Sequence, residues 1–182
     1  MLSFVKHKRS LIKKNTAVNR LGACVKIRAV KRFVLIDGNA ILHRAFHALP
    51  PLTNKKGELV NAVYGFSSML LKVIADLKPD YLAVAFDRAA PTFRQQLYVG
   101  YQAQRPKMAD ELAPQIEIIH QVLERMKISI FEIDGYEADD VIGTLATQAG
   151  KLEVVIVTGD RDMLQLVNNH VRVYAPIIGL TK

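Results

Sequence analysis

Three apolar runs of strand-forming residues in this chain each end in an aspartate. Phe33-Val34-Leu35-Ile36 runs into Asp37, Tyr81-Leu82-Ala83-Val84-Ala85-Phe86 into Asp87, and Val154-Val155-Ile156-Val157-Thr158-Gly159 into Asp160. Helical patterns lie between the runs, and strands alternating with helices form a parallel sheet covered on both faces. All three aspartates then emerge on the carboxyl edge of that sheet, where open α/β sheets place their ligands. The expected fold is therefore α/β, three layers deep, with a central and mainly parallel sheet flanked by helices.

The remaining elements follow from periodicity and turn residues. Strand one is expected at about 32–37, and a helix at about 60–77 is marked by Val60, Val63, Tyr64, Phe66, Leu70, Val73, Ile74 and Leu77. Lys78-Pro79-Asp80 ends that helix, because proline cannot continue the hydrogen-bond ladder. Strand two spans about 81–87, and 88–109 reads as irregular and polar-aromatic. A helix at about 110–126 carries Leu112, Ile116, Ile119, Val122, Leu123 and Met126, before strand three at 128–133 and an Asp134-Gly135 turn. A helix at 137–149, strand four at 153–158, a short helix after Asp160 and strand five at 171–175 complete the order.

Further acids crowd the same edge: Glu137, Asp139 and Asp140 at one helix start, and Asp160 with Asp162 at another. A single aspartate after a strand is an ordinary turn or N-cap residue. Caps need one acceptor per helix, however, so capping leaves several of these acids unexplained. On a helix Glu137 and Asp140 share a face, with Asp139 at its flank. So many carboxylates together raise one another's pKa unless a cation sits among them, and an all-oxygen site suits a hard divalent ion such as Mg²⁺ or Mn²⁺.

Other chemistries find little support. There is no Gly-x-x-x-x-Gly-Lys loop and no Gly-x-Gly-x-x-Gly fingerprint, which argues against a nucleotide triphosphatase or a dinucleotide enzyme. Asp37-Gly38-Asn39 lacks the second aspartate of an aspartyl-phosphate phosphatase, and His43, His47, His120 and His170 show no ligand spacing. One cysteine, Cys24, permits no intrachain disulfide and points to a reducing, cytoplasmic compartment. No apolar run approaches the roughly 18 residues of a membrane helix, so no membrane partner is expected.

The formal charge of +8 is unevenly placed. Residues 1–32 hold ten of the 25 Lys and Arg and none of the 17 Asp and Glu, leaving 15 basic against 17 acidic residues in the rest. The basicity belongs to a leader, residues 1–30, which has little to bury and is expected to be disordered. Three readings of it stand: an organelle transit peptide, a basic arm on DNA, or residues upstream of the true start.

Several motifs carry a resemblance. Val34-Leu35-Ile36-Asp37-Gly38-Asn39, Tyr64-Gly65-Phe66, Ala85-Phe86-Asp87, Pro91-Thr92-Phe93-Arg94, Gly135-Tyr136-Glu137-Ala138-Asp139-Asp140 and Thr158-Gly159-Asp160-Arg161-Asp162 occur in this order. Over about 31–182 the chain resembles the N-terminal 5′→3′ exonuclease domain of bacterial DNA polymerase I, among the PIN-like, flap-endonuclease-like nucleases. The resemblance implies that Asp37, Asp87, Glu137, Asp139, Asp140, Asp160 and Asp162 hold two divalent ions. It also implies hydrolysis of DNA near a 5′ end or 5′ flap, in replication or repair. Arg44 and Arg105 match phosphate contacts. Residues 88–109, with Phe93, Arg94, Tyr98, Tyr101 and Arg105, match an arch over the 5′ single strand, where aromatics and cations suit stacking and backbone contact.

The chain also departs from the family pattern. The arch typically reads Tyr-Lys-x-x-Arg, whereas here it is Tyr101-Gln102-Ala103-Gln104-Arg105, and Gln96 stands where a glutamate is frequent. Losing one charged donor beside a developing negative charge costs on the order of 10²-fold. The sequence ends before the family's last pair of aspartates and its duplex-gripping helices. The expectation is a domain incomplete at its C-terminus, served by a separately encoded polymerase or nuclease segment. Besides a 5′ nuclease, a catalytically weak remnant that binds nucleic acid and a PIN-type ribonuclease remain open.

Overall fold

A computed structural model describes residues 30–98, 100, 101 and 108–175. Residues 1–29 of the leader, Gln102, Arg105 and the last seven residues lie outside the described residues. Five strands form one parallel sheet: β1 (Arg32–Asp37), β2 (Tyr81–Ala85), β3 (Ser129–Phe131), β4 (Glu153–Val157) and β5 (Val171–Tyr174), in the order β3-β2-β1-β4-β5. The central register pairs Leu35 with Ala83 on one side and with Ile156 on the other. Chain order runs outward from β1 in both directions, so the topological switch lies between β1 and β4, and a crevice opens there at the carboxyl ends.

Side-chain alternation makes two cores. Val34, Ile36, Val84, Phe86, Val155 and Val157 face helices α1 (Gly38–Ala48), α2 (Asn61–Leu77) and α4 (Ala113–Arg125). Leu35, Ala83, Ala85, Val154 and Ile156 face α5 (Ala138–Gln148) and a 3-10 turn, Asp162–Leu166. A strand buried on both faces needs a continuous apolar run, which is how β1, β2 and β4 read in sequence. Among the described residues no helix is long and apolar enough to cross a membrane.

Two helices differ from the sequence expectation. Helix α1 is absent from it, because Ile41, Leu42 and Ala45 supply its buried face between His43, Arg44 and His47. Asp37 caps its start, and the chain turns extended at Leu49, before Pro50-Pro51, as the residue preceding proline favours. A Cβ on Gly38 would collide with the Phe86 ring, so only glycine lets α1 begin this close to the end of β2. Helix α3 (Phe93–Leu97) interrupts the stretch read as irregular; the Gln95 side chain accepts from the Thr92 amide at 3.0 Å to fix its start. The short helix expected after Asp160 is present as a 3-10 turn, Asp162–Leu166.

The edge of the sheet remote from the crevice is also fastened. Arg32 donates to Glu153 at 3.0 and 3.2 Å and to the Leu77 carbonyl at 2.6 Å, tying β1, β4 and the end of α2 together.

Candidate active site

The crevice is built by four chain segments that each leave the sheet or start a helix. Asp37, only 4% exposed, ends β1 and caps α1, with Oδ1 accepting from the Ala40 amide at 2.9 Å. Its Oδ2 accepts from the Thr158 hydroxyl at 2.7 Å, and that hydroxyl accepts from the Asp160 amide at 2.9 Å. The capping role foreseen for an aspartate after a strand is thus real for Asp37. Past β2, Asp87 receives the Ala138 amide at 2.7 Å, while its own amide donates to Asn39 at 3.0 Å. Helices α1 and α5 therefore aim their N-termini into the crevice, and their partial positive charge offsets part of the acids' mutual repulsion.

Six of the seven acids line one cleft of about 840 Å³: Asp37, Asp87, Glu137, Asp139, Asp160 and Asp162. Asn39, His43, Arg44, Tyr101 and Arg161 also line it. Burial pushes the Asp139 carboxyl up from 3.8 to about 7, and Asp37, Asp160, Asp87 and Glu137 add to the rise. Asp37 is also raised, by burial first; its bonds from Ala40 and Thr158 oppose the rise, and Asp87 and Asp160 reinforce it. At Asp139 and Asp37 burial and then the neighbouring acids disfavour the charged form, and a cation in the cleft relieves both.

Asp140 stands apart. Arg94 forks it through Nη1 at 2.6 Å and Nη2 at 2.7 Å, and also reaches Glu137 at 3.3 Å. The guanidinium holds the Asp140 carboxyl below its usual value. The Asp140 side chain further accepts from the Glu137 amide at 3.1 Å, closing a capping box at the start of α5. Arg94, expected to meet DNA, is thus occupied by carboxylates.

Of the other residues expected to contact DNA, Arg44 is in the cleft wall and enters no ion pair among the described residues. Tyr98 is 68% exposed, and Phe93 packs at 5.7 Å against Tyr136. Arg105 lies outside the described residues. Sequence reasoning gave no role to His43, Asn39 or Thr158. Asn39 and Thr158 sit within two residues of Asp37 and Asp160, which is the signal that marks them.

The donor set suits a hard divalent cation, since every acid in the cleft offers oxygen. Among the described residues no three His, Cys, Asp or Glu side chains are grouped tightly enough to hold an ion as they stand. An open carboxylate cleft of this kind fits a cation that keeps several of its waters, as Mg²⁺ does.

Fold and cleft together define a three-layer α/β domain of PIN-like architecture with an acidic site at its switch point. The chain belongs to the family described as 5′-3′ exonuclease, N-terminal resolvase-like domain, matched over residues 32–182. It is 50% identical over 144 residues to DNA polymerase I of Chloroflexus aurantiacus, covering 77% of this chain and 15% of that protein. It is 44% identical over 153 residues to DNA polymerase I of Bacillus subtilis, covering 83% of this chain and 17% of that one. The chain thus spans less than a fifth of the length of these relatives. Among solved structures, phage T5 5′-exonuclease with bound divalent zinc superposes with a TM-score of 0.56 at 21% identity, over 78% of this chain and 54% of that one, a likeness of fold.

Proposed function

We propose that this domain hydrolyses DNA phosphodiester bonds near a 5′ end or 5′ flap, using two divalent ions, Mg²⁺ or Mn²⁺. The observation that carries the reading is the convergence of Asp37, Asp87, Glu137, Asp139, Asp160 and Asp162 on one cleft, where burial and the neighbouring acids raise the carboxyls of Asp139 and Asp37. When bound, the ions supply positive charge against the charge that develops in phosphoryl transfer. The residues' own part is to hold that charge in place. Asp37 is fixed by Thr158 and the α1 N-terminus, Asp87 by the α5 N-terminus, and Asp139 faces the others from the first turn of α5.

Arg44, standing in the cleft wall, is suited to bind a backbone phosphate next to the cut. Exposed Tyr98 offers a face on which a base of a single strand stacks. The metal-bound T5 neighbour and the DNA polymerase relatives support the same direction.

A second reading, a nucleic-acid-binding module of low catalytic power, rests on Gln102, a neutral amide at the place of the arch lysine. Cleavage of a 5′-flap duplex with Mg²⁺, with Mn²⁺ and with chelator separates the two. Metal-dependent release of the flap supports the nuclease. DNA binding without any cleavage by either metal supports the module.

A further inference from the structure

The cation-binding carboxylates and the strand-facing segment meet at Arg94. Every oxygen of Asp140 is taken, by the two arms of the Arg94 fork and by the Glu137 amide. Glu137 receives a third Arg94 bond at 3.3 Å and the Tyr101 hydroxyl at 3.2 Å. The guanidinium lies 4.6 Å from the centre of the Phe93 ring, and α3 is docked beside α5 by the Phe93 amide, which donates to the Gly135 carbonyl at 2.9 Å. Arg94 and Asp140 line a second cavity of about 630 Å³ that shares Tyr101, Glu137, Asp139 and Asp162 with the acidic cleft. About a third of the Arg94 side chain is open to solvent (32%).

This arrangement spends two carboxylates on an arginine beside a cleft where no three donors yet group around an ion. A phosphodiester offers a guanidinium the same pair of oxygens that a carboxylate does, in the same planar fork. We propose that Arg94 is a positioning residue acting as an exchange latch. In the DNA-free protein it holds Asp140 and Glu137; a backbone phosphate of incoming DNA takes its guanidinium and frees both carboxylates for the divalent cation. This rests on the metal-site reading above and adds regulation to it. DNA and cation then bind with a shared coupling energy, each tightening the other by the same factor.

The test measures Mn²⁺ binding by electron paramagnetic resonance of the free ion, on the whole chain. It compares the natural protein with Arg94→Gln and Arg94→Lys, with and without a short phosphorothioate single strand that resists cleavage, after subtracting Mn²⁺ bound by the strand alone. DNA should tighten Mn²⁺ binding to the natural protein by about fivefold or more. Arg94→Gln should bind Mn²⁺ more tightly than the natural protein before DNA is added, and DNA should then add less than about twofold. Arg94→Lys keeps the charge without the fork and should fall between them; if the glutamine variant does not fold, this variant carries the comparison. An equal DNA effect in all three proteins, or none in the natural one, overturns the latch and leaves the metal site standing. No Mn²⁺ binding by any of them, with or without DNA, overturns both.

Discussion

Replacing Asp139 by Asn tests the strain of a half-buried charge among other acids, because the amide keeps the shape and removes the charge. Asp139 is half-buried and faces Asp37, Asp160, Asp87 and Glu137, and its carboxyl is raised from 3.8 to about 7. At about 1.4 kcal/mol for each pH unit, that rise caps the destabilisation at about 4 kcal/mol. Solvent reaches the carboxyl, so screening reduces the realised value to about 1–2 kcal/mol. The sign follows from linkage: the folded state keeps its proton longer than the unfolded chain, so stability is full below about pH 4 and drains as pH rises through about 7. In metal-free protein, Asp139→Asn should therefore melt about 3–6 °C above the natural protein at pH 8, with the gap shrinking toward pH 5. Thermal unfolding by circular dichroism in chelator, at pH 5, 6.5 and 8, reads this out. Equal melting temperatures at pH 8, or a variant that melts lower, would refute the electrostatic account of the cleft.

Three further outcomes are expected. Millimolar Mn²⁺ or Mg²⁺ should raise the melting temperature of the natural protein, by about 2.7 kcal/mol of stability at a hundredfold excess over Kd, and much less in Asp139→Asn. Thr158→Val, which strips the buried hydroxyl between Asp37 and the Asp160 amide, should cost about 1–3 kcal/mol in chemical denaturation. Gln102→Lys should raise the single-turnover rate of flap cleavage on the order of 10²-fold, with little change in DNA affinity, and Asp139→Ala should abolish the gain.

Much of this fold is legible in sequence for one reason. Strands β1, β2 and β4 are buried on both faces, so they appear as unbroken Val, Ile, Leu and Ala runs, and a parallel sheet puts their ends on one edge. Helix α1 is hidden because its buried face needs only Ile41, Leu42 and Ala45, with Gly38 pressed against Phe86; a periodicity that short does not stand out. The acidic cleft is legible for the same reason as the sheet, since Asp37 ends β1 and Asp87 and Asp160 come within three residues of the ends of β2 and β4. The fate of Asp140 is not. Spacing places it on one helical face with Glu137, but its partner Arg94 comes from a different helix 46 residues earlier, and no local pattern encodes that pairing. The Thr158 hydroxyl between two aspartates is likewise a tertiary contact, 121 residues from Asp37.

Loaded with divalent metal, this carboxylate cleft is expected to cut DNA. Single-turnover cleavage of a 5′-flap duplex across a Mg²⁺ titration, for the natural protein and Asp139→Ala, tests it most directly. The rate should rise with Mg²⁺, vanish in chelator and be lost in Asp139→Ala. Cleavage that persists in chelator or in the variant, or no cleavage at saturating Mg²⁺ and Mn²⁺, would contradict it.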